Sequence, residues 1–85
     1  MNITIAGYST IKTERTMANV EEALREVSLV ADVSLANDPA KIARLGVHIT
    51  PAVFVNERLR VTGRIPSVYE LRKWIEEELE VELIA

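Results

Sequence analysis

The first third of the chain changes from the period of a strand to the period of a helix. Apolar and polar residues alternate over Asn2–Ala6, and Gly7 ends that pattern. Over Ile11–Ser28, apolar residues instead recur every three or four positions, which predicts an amphipathic helix. The predicted buried stripe of this helix consists of Met17, Val20, Leu24 and Val27. A strand followed by a helix is therefore the first predicted unit.

The middle third predicts a second strand and a short helix whose ends are both marked. The strand is predicted over Leu29–Leu35. Asp38 is a suitable N-cap, Pro39 suits the first helical position, and Gly46 suits the C-terminal end. The residues of this helix that are predicted to face inward are Ile42 and Leu45.

The last third begins with the pattern of a β-hairpin. Ala52–Val55 is continuously apolar, which is typical of a strand that is buried on both faces. Asn56 and Glu57 are predicted to form the turn, although the second position lacks the usual glycine. On the next strand, Leu59 and Val61 are predicted to share one face. The residues predicted on its other face, as in an edge strand protected by charge, are Arg58, Arg60 and Thr62.

A capping box starts the final helix, with Ser67 at the cap and Glu70 three residues later. Trp74 is predicted to lie on the flank of the apolar stripe. The predicted buried residues are Val68, Leu71, Ile75 and Leu79. The end of the helix is predicted to be solvated and frayed, because its negative charges oppose the helix dipole. These charges belong to Glu76, Glu77, Glu78, Glu80 and Glu82.

The predicted order is β-α-β-α-β-β-α in a single domain of residues 1–85. Two strands joined by a helix imply a right-handed parallel crossover, and the hairpin adds antiparallel strands. The fold class is therefore α/β, with a four-stranded mixed sheet flanked by helices.

Composition removes several classes of function. The net charge of −3 lacks the basic footprint that nucleic acid requires. Neither a bilayer-spanning stretch nor a signal-peptide pattern is present, so we expect a cytoplasmic protein without a membrane partner. The chain has no cysteine and one histidine, His48, so a disulfide or a histidine–cysteine metal site is not expected. No cofactor is predicted, and no catalytic constellation stands out.

Three segments in combination resemble the core of the thioredoxin/glutaredoxin superfamily. They are the strand and helix Ile3–Gly7 and Asn19–Leu24, the segment Gly46–Asn56, and Thr62–Ser67. The resemblance is closest to small archaeal and bacterial thioredoxin-like proteins, sometimes called redox-active disulfide proteins. It implies that the bond between Thr50 and Pro51 is cis. It also implies that the residue before this proline offers its backbone to an extended peptide or to glutathione.

The family's Cys-x-x-Cys motif falls on Thr10-Ile11-Lys12-Thr13 in this chain. Thiol–disulfide exchange requires a thiolate nucleophile and a second sulfur, and a threonine hydroxyl supplies neither. The family positions Thr10 and Thr13 are therefore excluded as redox residues. They are alternatively plain caps of the first helix.

The resemblance implies a ligand groove formed by Ser9, Thr10, Lys12, Thr50, Pro51 and Arg64. Plain alternatives stand beside it: Pro51 can serve folding alone, and Arg64 can be an ordinary surface residue. His48 neighbours the groove, where a lone histidine is more often structural than functional.

The leading hypothesis is a redox-inactive thioredoxin-like module, as a monomer or homodimer, that binds a protein, a peptide or a small anionic ligand in this groove. One alternative is a structural or assembly subunit that docks through the Arg58 and Arg60 edge strand. Another is a thiol–disulfide oxidoreductase that borrows the thiol of glutathione. Enzyme activity of its own is not expected.

Overall fold

The computed structural model describes residues 1–84; Ala85, at the end of the predicted domain, lies outside the described residues. The strands are β1 (Asn2–Ala6), β2 (Asp32–Ala36), β3 (Ala52–Val55) and β4 (Arg58–Thr62). The helices are α1 (Ile11–Glu26), α2 (Pro39–Arg44) and α3 (Val68–Ile84). This is the predicted order of elements.

The four strands form one mixed sheet in the order β2-β1-β3-β4. Strand β1 pairs parallel with β2, with Asn2 opposite Asp32 and Ala6 opposite Ala36. It pairs antiparallel with β3, which in turn pairs antiparallel with β4. The two central strands β1 and β3 carry the most buried side chains of the sheet, as the continuous apolar run of β3 predicts.

The sheet separates two clusters of buried side chains, one on each face. The larger cluster joins α1 and α3 to the sheet and comprises Ile3, Ile5, Val20, Ala23, Leu24, Val53, Val55, Val61, Leu71 and Ile75. The smaller cluster lies under α2 and comprises Ala6, Ala36, Ile42, Val47, Ala52 and Phe54. We call these two sides the covered face and the open face, because only the short helix α2 lies over the second one.

Helix α1 is shorter at its end than the predicted Ile11–Ser28. It ends at Glu26, and Ser28 takes the left-handed backbone conformation with φ of 54°. The N–H of Leu29 then donates to the C=O of Leu24, which ties Leu29 to the helix end. Leu29 is consequently not free to pair with β1, so β2 starts at Asp32 instead of the predicted Leu29.

The inward position predicted for Leu45 on α2 is wrong. Leu45 is 38% exposed, whereas Ile42 is 4% exposed as predicted. Gly46 has φ of +76°, and this turn carries the chain back so that the N–H of Val47 donates to the C=O of Ile42. Val47 therefore fills the core beside Ile42 in place of Leu45.

The prediction that Leu59 and Val61 share a face of β4 is also wrong. Val61 lies opposite Val53 and Leu59 lies opposite Phe54, so a β-bulge leaves Arg60 as an extra residue between them. Because Val53 and Phe54 belong to opposite faces, Val61 packs in the covered face and Leu59 is half-exposed on the open face.

The bulge turns the arginines of β4 toward helix α3. The guanidinium of Arg60 lies 3.2 Å from the Glu78 carboxylate and 2.9 Å from that of Glu77, and Arg58 lies 3.6 Å from Glu78. Glu78 is only 3% exposed. The prediction of a solvated, frayed acidic end therefore fails at Glu78, because two arginines compensate its charge inside the structure.

Candidate functional site

One end of the sheet collects the loops that carry the predicted site residues. Ala6 at the end of β1 lies opposite Ala52 at the start of β3, and Ala52 lies opposite Thr62 at the end of β4. The segments just outside these residues therefore meet at the same sheet end: Gly7–Thr10, Thr50–Pro51 and Gly63–Arg64. We call this sheet end the loop edge.

The two threonines at the start of α1 differ in exposure and in role. Thr10 is the exposed N-cap, and its hydroxyl oxygen accepts from the N–H of Thr13 at 3.3 Å. The Thr13 side chain is 5% exposed, and its hydroxyl lies 3.2 Å from that of Thr10. A side chain at Gly7 would overlap the Thr13 hydroxyl, so Gly7 is required for this packing. Of the two family positions, only Thr10 is exposed to solvent.

Hydrogen bonds to the backbone carbonyls of Ile49 and Pro51 hold the two neighbours of Thr50 in place. The Thr50–Pro51 peptide bond is cis, and Pro51 is buried. The C=O of Pro51 accepts from the N–H of Gly63 at 2.8 Å, and the C=O of Ile49 accepts from the Thr62 hydroxyl. Within residues 1–84, no hydrogen bond engages the N–H or the C=O of Thr50. Thr50 therefore presents an unpaired donor and acceptor on a fixed segment.

Gly63 is the residue that lets the loop after β4 approach this segment. Its φ is +86°, and a Cβ at this position would lie 3.0 Å from the Ile49 side chain. Both the left-handed backbone and the close approach favour glycine.

Arg64 at the loop edge is engaged by the first turn of α3. Its two terminal nitrogens donate to the two oxygens of Glu70 at 2.9 and 2.6 Å. The Glu70 carboxylate also accepts from the N–H of Ser67 at 3.0 Å, which completes the predicted capping box. The bond from Arg64, followed by that from Ser67, lowers the pKa of Glu70 to about 2. Arg64 is thus already paired with a protein carboxylate, which argues against the predicted role of Arg64 in binding an anionic ligand.

Ser9 and Thr13 line a shallow cavity of about 300 Å³ together with Glu14, Met17 and Leu35. Lys12 is exposed in the first turn of α1. The structure thus brings Ser9 into one cavity with the buried family position. Thr50, Pro51 and Arg64 do not line that cavity.

Three exposed apolar side chains at the loop edge were not among the predicted site residues. Tyr8 is 44% exposed, Ile11 is 69% exposed and Ile49 is 62% exposed. Each is sequence-adjacent or nearly so to Ser9, Thr10 or Thr50. Tyr8 and Ile49 lie in loops and Ile11 is the first residue of α1, so all three fall outside the apolar stripes of the helices and strands, and this is the signal that could have found them.

The remaining candidates have ordinary positions. His48 is exposed beside Ile49. Trp74 is half-buried and packs against the covered-face cluster, as predicted. Among residues 1–84, no group of histidine, cysteine, aspartate and glutamate side chains is arranged to hold a metal ion. Nor does this part of the chain contain a helix of the length and apolarity needed to cross a membrane.

The mixed sheet in the order β2-β1-β3-β4, with a helix start and a cis-proline at its loop edge, defines a thioredoxin-fold domain. A family model described as a thioredoxin domain matches residues 1–76. A protein named thioredoxin from Methanocaldococcus jannaschii is 32% identical over 78 residues, which cover 92% of this chain and 90% of that protein. The chain belongs to the thioredoxin family, which confirms the resemblance inferred from the sequence.

Proposed function

We propose that this protein is a redox-inactive thioredoxin-like module that binds an extended peptide segment at the loop edge. The observation that carries the proposal is the pair of unpaired backbone groups on Thr50, held beside the cis bond to Pro51. An extended peptide that adds to such a segment as a strand needs one donor and one acceptor at matching positions. A carbonyl and an N–H on one residue supply both.

The chemistry available at the helix start supports binding without redox turnover. The chain has no cysteine, and Thr10 and Thr13 stand at the family's two cysteine positions. A threonine hydroxyl cannot form or resolve a mixed disulfide. Backbone pairing at Thr50 does not require a thiol, so the loop edge can bind a peptide although both cysteines of the family motif are absent.

The exposed apolar side chains favour a peptide over a small anion. Tyr8, Ile11 and Ile49 offer contacts for the alternate side chains of an extended segment. An anion would have to compete with Glu70 for Arg64, and it would meet the carboxylate of Glu14 in the first turn of α1. We therefore propose a partner segment with apolar side chains at alternating positions.

The test is a titration of the ¹⁵N-labelled protein, followed by amide NMR. The probe is a capped pentapeptide that alternates leucine and threonine. Its matched control carries an N-methyl group on the central residue, which removes one backbone donor and keeps the side chains. We expect shifts at Tyr8–Ile11, Ile49–Ala52 and Gly63, and an affinity at least about fivefold lower for the N-methyl peptide, as for one lost hydrogen bond.

Equal binding of both peptides, or shifts confined to residues away from the loop edge, would contradict backbone recognition at Thr50. Parallel titrations with inorganic phosphate and with reduced glutathione test the other ligand classes. Glutathione-dependent reduction of a low-molecular-weight disulfide by the protein would replace the binding proposal with the glutathione-borrowing oxidoreductase.

A further inference from the structure

The open face holds a second cavity, distinct from the loop edge. It measures about 350 Å³ and lies between β1, β2 and α2. Its lining consists of Thr4, Ser34, Leu35, Ala36, Lys41, Arg44 and Leu45. Cavities that hold small ligands start at about 300 Å³, so this one is large enough for a compact molecule.

The cavity exists because α2 covers only one end of the open face. Ala6 and Ala36 lie opposite each other in the sheet and are buried with Ile42. The next pair on this face, Thr4 and Ser34, lies beyond the end of that cluster; Thr4 is half-buried and Ser34 is exposed. Their hydroxyl oxygens lie 3.3 Å apart. One hydroxyl pair therefore remains at the uncovered part of the sheet, with capacity for a further hydrogen bond.

Both charged residues of the lining are cations. Lys41 and Arg44 are three residues apart on α2, so their side chains leave the helix from the same side. The Arg44 Nε donates to the C=O of Ala40 at 3.3 Å, but its terminal nitrogens have no hydrogen bond or ion pair with any described residue. The nearest carboxylate to Lys41 is that of Asp38, at 4.0 Å on the exposed surface. Such a surface pair adds little stability, and it involves Lys41 alone and not Arg44.

Most arginines of this protein are already ion-paired with glutamates, as Arg25, Arg58, Arg60, Arg64 and Arg72 are. Arg44 differs from them because it borders a cavity and its terminal donors have no partner among residues 1–84. The apolar side chains of the same lining on this face are Ala36 and Leu45, and Leu45 is 38% exposed; Leu35 lies opposite Ile5, so its side chain belongs to the other face. The cavity therefore combines an apolar floor, two hydroxyls and two cations.

We propose that this cavity binds a small amphiphilic anion, with an apolar body of a few carbon atoms and a carboxylate or phosphomonoester head. The head group accepts from Lys41, Arg44 and the hydroxyls of Thr4 and Ser34. The body packs on Ala36 and Leu45. Positive charge selects the sign of the ligand, and the limited volume selects its size.

The test uses three probes of equal chain length: hexanoate, hexyl phosphate and hexylammonium. Each is titrated into the ¹⁵N-labelled protein, and amide shifts are followed at Thr4, Ser34–Ala36 and Leu45. We expect saturable shifts there with the two anions and none with hexylammonium. The stronger of the two anion responses identifies the preferred head group.

The variant that tests the two cations is K41Q/R44Q, and the matched control is R15Q/K73Q. Both change the net charge equally, and Arg15 and Lys73 do not line the cavity. We expect K41Q/R44Q to weaken anion binding at least about tenfold, as for the loss of charged hydrogen bonds, and the control to weaken it less than about twofold.

An equal effect of the two variants, equal shifts with hexylammonium, or no shifts at the cavity would overturn the proposal. The amide spectra of the free variants show whether each is folded. Because the peptide titration reports on the loop edge and this one on the open face, the two proposals can fail independently.

Discussion

The two faces of the sheet differ in how completely helices cover them. On the covered face, α1 and α3 pack against β1 and β3, and the cluster contains most of the large buried side chains. On the open face, α2 contributes only Ile42 to the buried cluster. The other members of that cluster are three alanines, Val47 and Phe54. Buried apolar area is the main source of stability. The covered face therefore contributes the larger part of the stability of this small domain, and the open face keeps part of its surface uncovered.

The largest expected effect is on a core leucine of the covered face. Leu71 is fully buried in α3, whereas Leu59 on the open face is 50% exposed. We expect Leu71→Ala to lower the free energy of unfolding by about 2–5 kcal/mol, and Leu59→Ala to lower it by less than about 1 kcal/mol. Urea denaturation followed by circular dichroism measures both values. Similar losses in the two variants would show that the faces share the stability equally.

The second largest change in the free energy of unfolding is expected in the charge cluster that joins β4 to the covered-face helix α3. Glu78→Gln removes the carboxylate shared by Arg58 and Arg60 and leaves their charges less compensated. Because Arg60 keeps some exposure and a second partner in Glu77, we expect a loss of about 1–3 kcal/mol by urea denaturation, below that for a fully buried pair.

Glu80→Gln is the control for this cluster, because Glu80 is an exposed glutamate of the same helix. We expect it to change the free energy of unfolding by less than about 0.5 kcal/mol. Equal effects of the Glu78 and Glu80 variants would mean that the arginine cluster adds nothing to the covered face.

The third effect is pH-dependent and arises where α3 starts, next to the loop edge. The pKa of Glu70 falls from 4.5 to about 2 on folding. A depressed carboxylate pKa stabilises the protein fully above pH 4.5, and this contribution is lost as the pH falls toward 2. The pair with Arg64 is exposed, so we expect at most about 1 kcal/mol.

Acid titration of the unfolding free energy, compared between the protein and Glu70→Gln, checks this contribution. The difference between the two proteins should shrink between pH 4.5 and 2. A difference that is constant across that window would show that the capping hydrogen bonds, and not the charge of Glu70, are responsible.

The smallest effect is on the open face itself. Ser34 is exposed, and its hydroxyl partner Thr4 is reachable by water. We therefore expect Ser34→Ala to change the free energy of unfolding by less than about 0.5 kcal/mol. A larger loss, measured under the same urea conditions, would show that the hydroxyl pair is part of the core and not a free surface.

Periodicity and capping signals predicted the element order of this fold, but not the places where the chain departs from regular geometry. The start at Asp38 and Pro39 and the capping box of Ser67 and Glu70 are read from the sequence because each depends on residues a few positions apart. The bulge at Arg60 has no such local signal. It depends on pairing between β3 and β4 and on the glutamates of α3, which are distant in sequence.

In the candidate site, too, the sequence predicts the local features but not the contacts between distant residues. The residues beside Pro51 and at the start of α1 were recognisable because they belong to a family pattern. The pairing of Arg64 with Glu70 was not foreseen, although both residues were singled out separately. Exposure of Tyr8, Ile11 and Ile49 was also not foreseen. Their position outside the apolar stripes is visible in the sequence, but how far each side chain is exposed depends on how the loops and the start of α1 meet at the sheet end, which no short-range pattern encodes.

The bulge at Arg60 also bears on the behaviour of this protein at high concentration. A regular edge strand exposes evenly spaced N–H and C=O groups, which are a template for the strands of other molecules. The extra residue interrupts that spacing in β4, and Arg58 and Arg60 surround it with charge. Edge-to-edge aggregation through β4 is thereby disfavoured, although no helix covers this edge in residues 1–84.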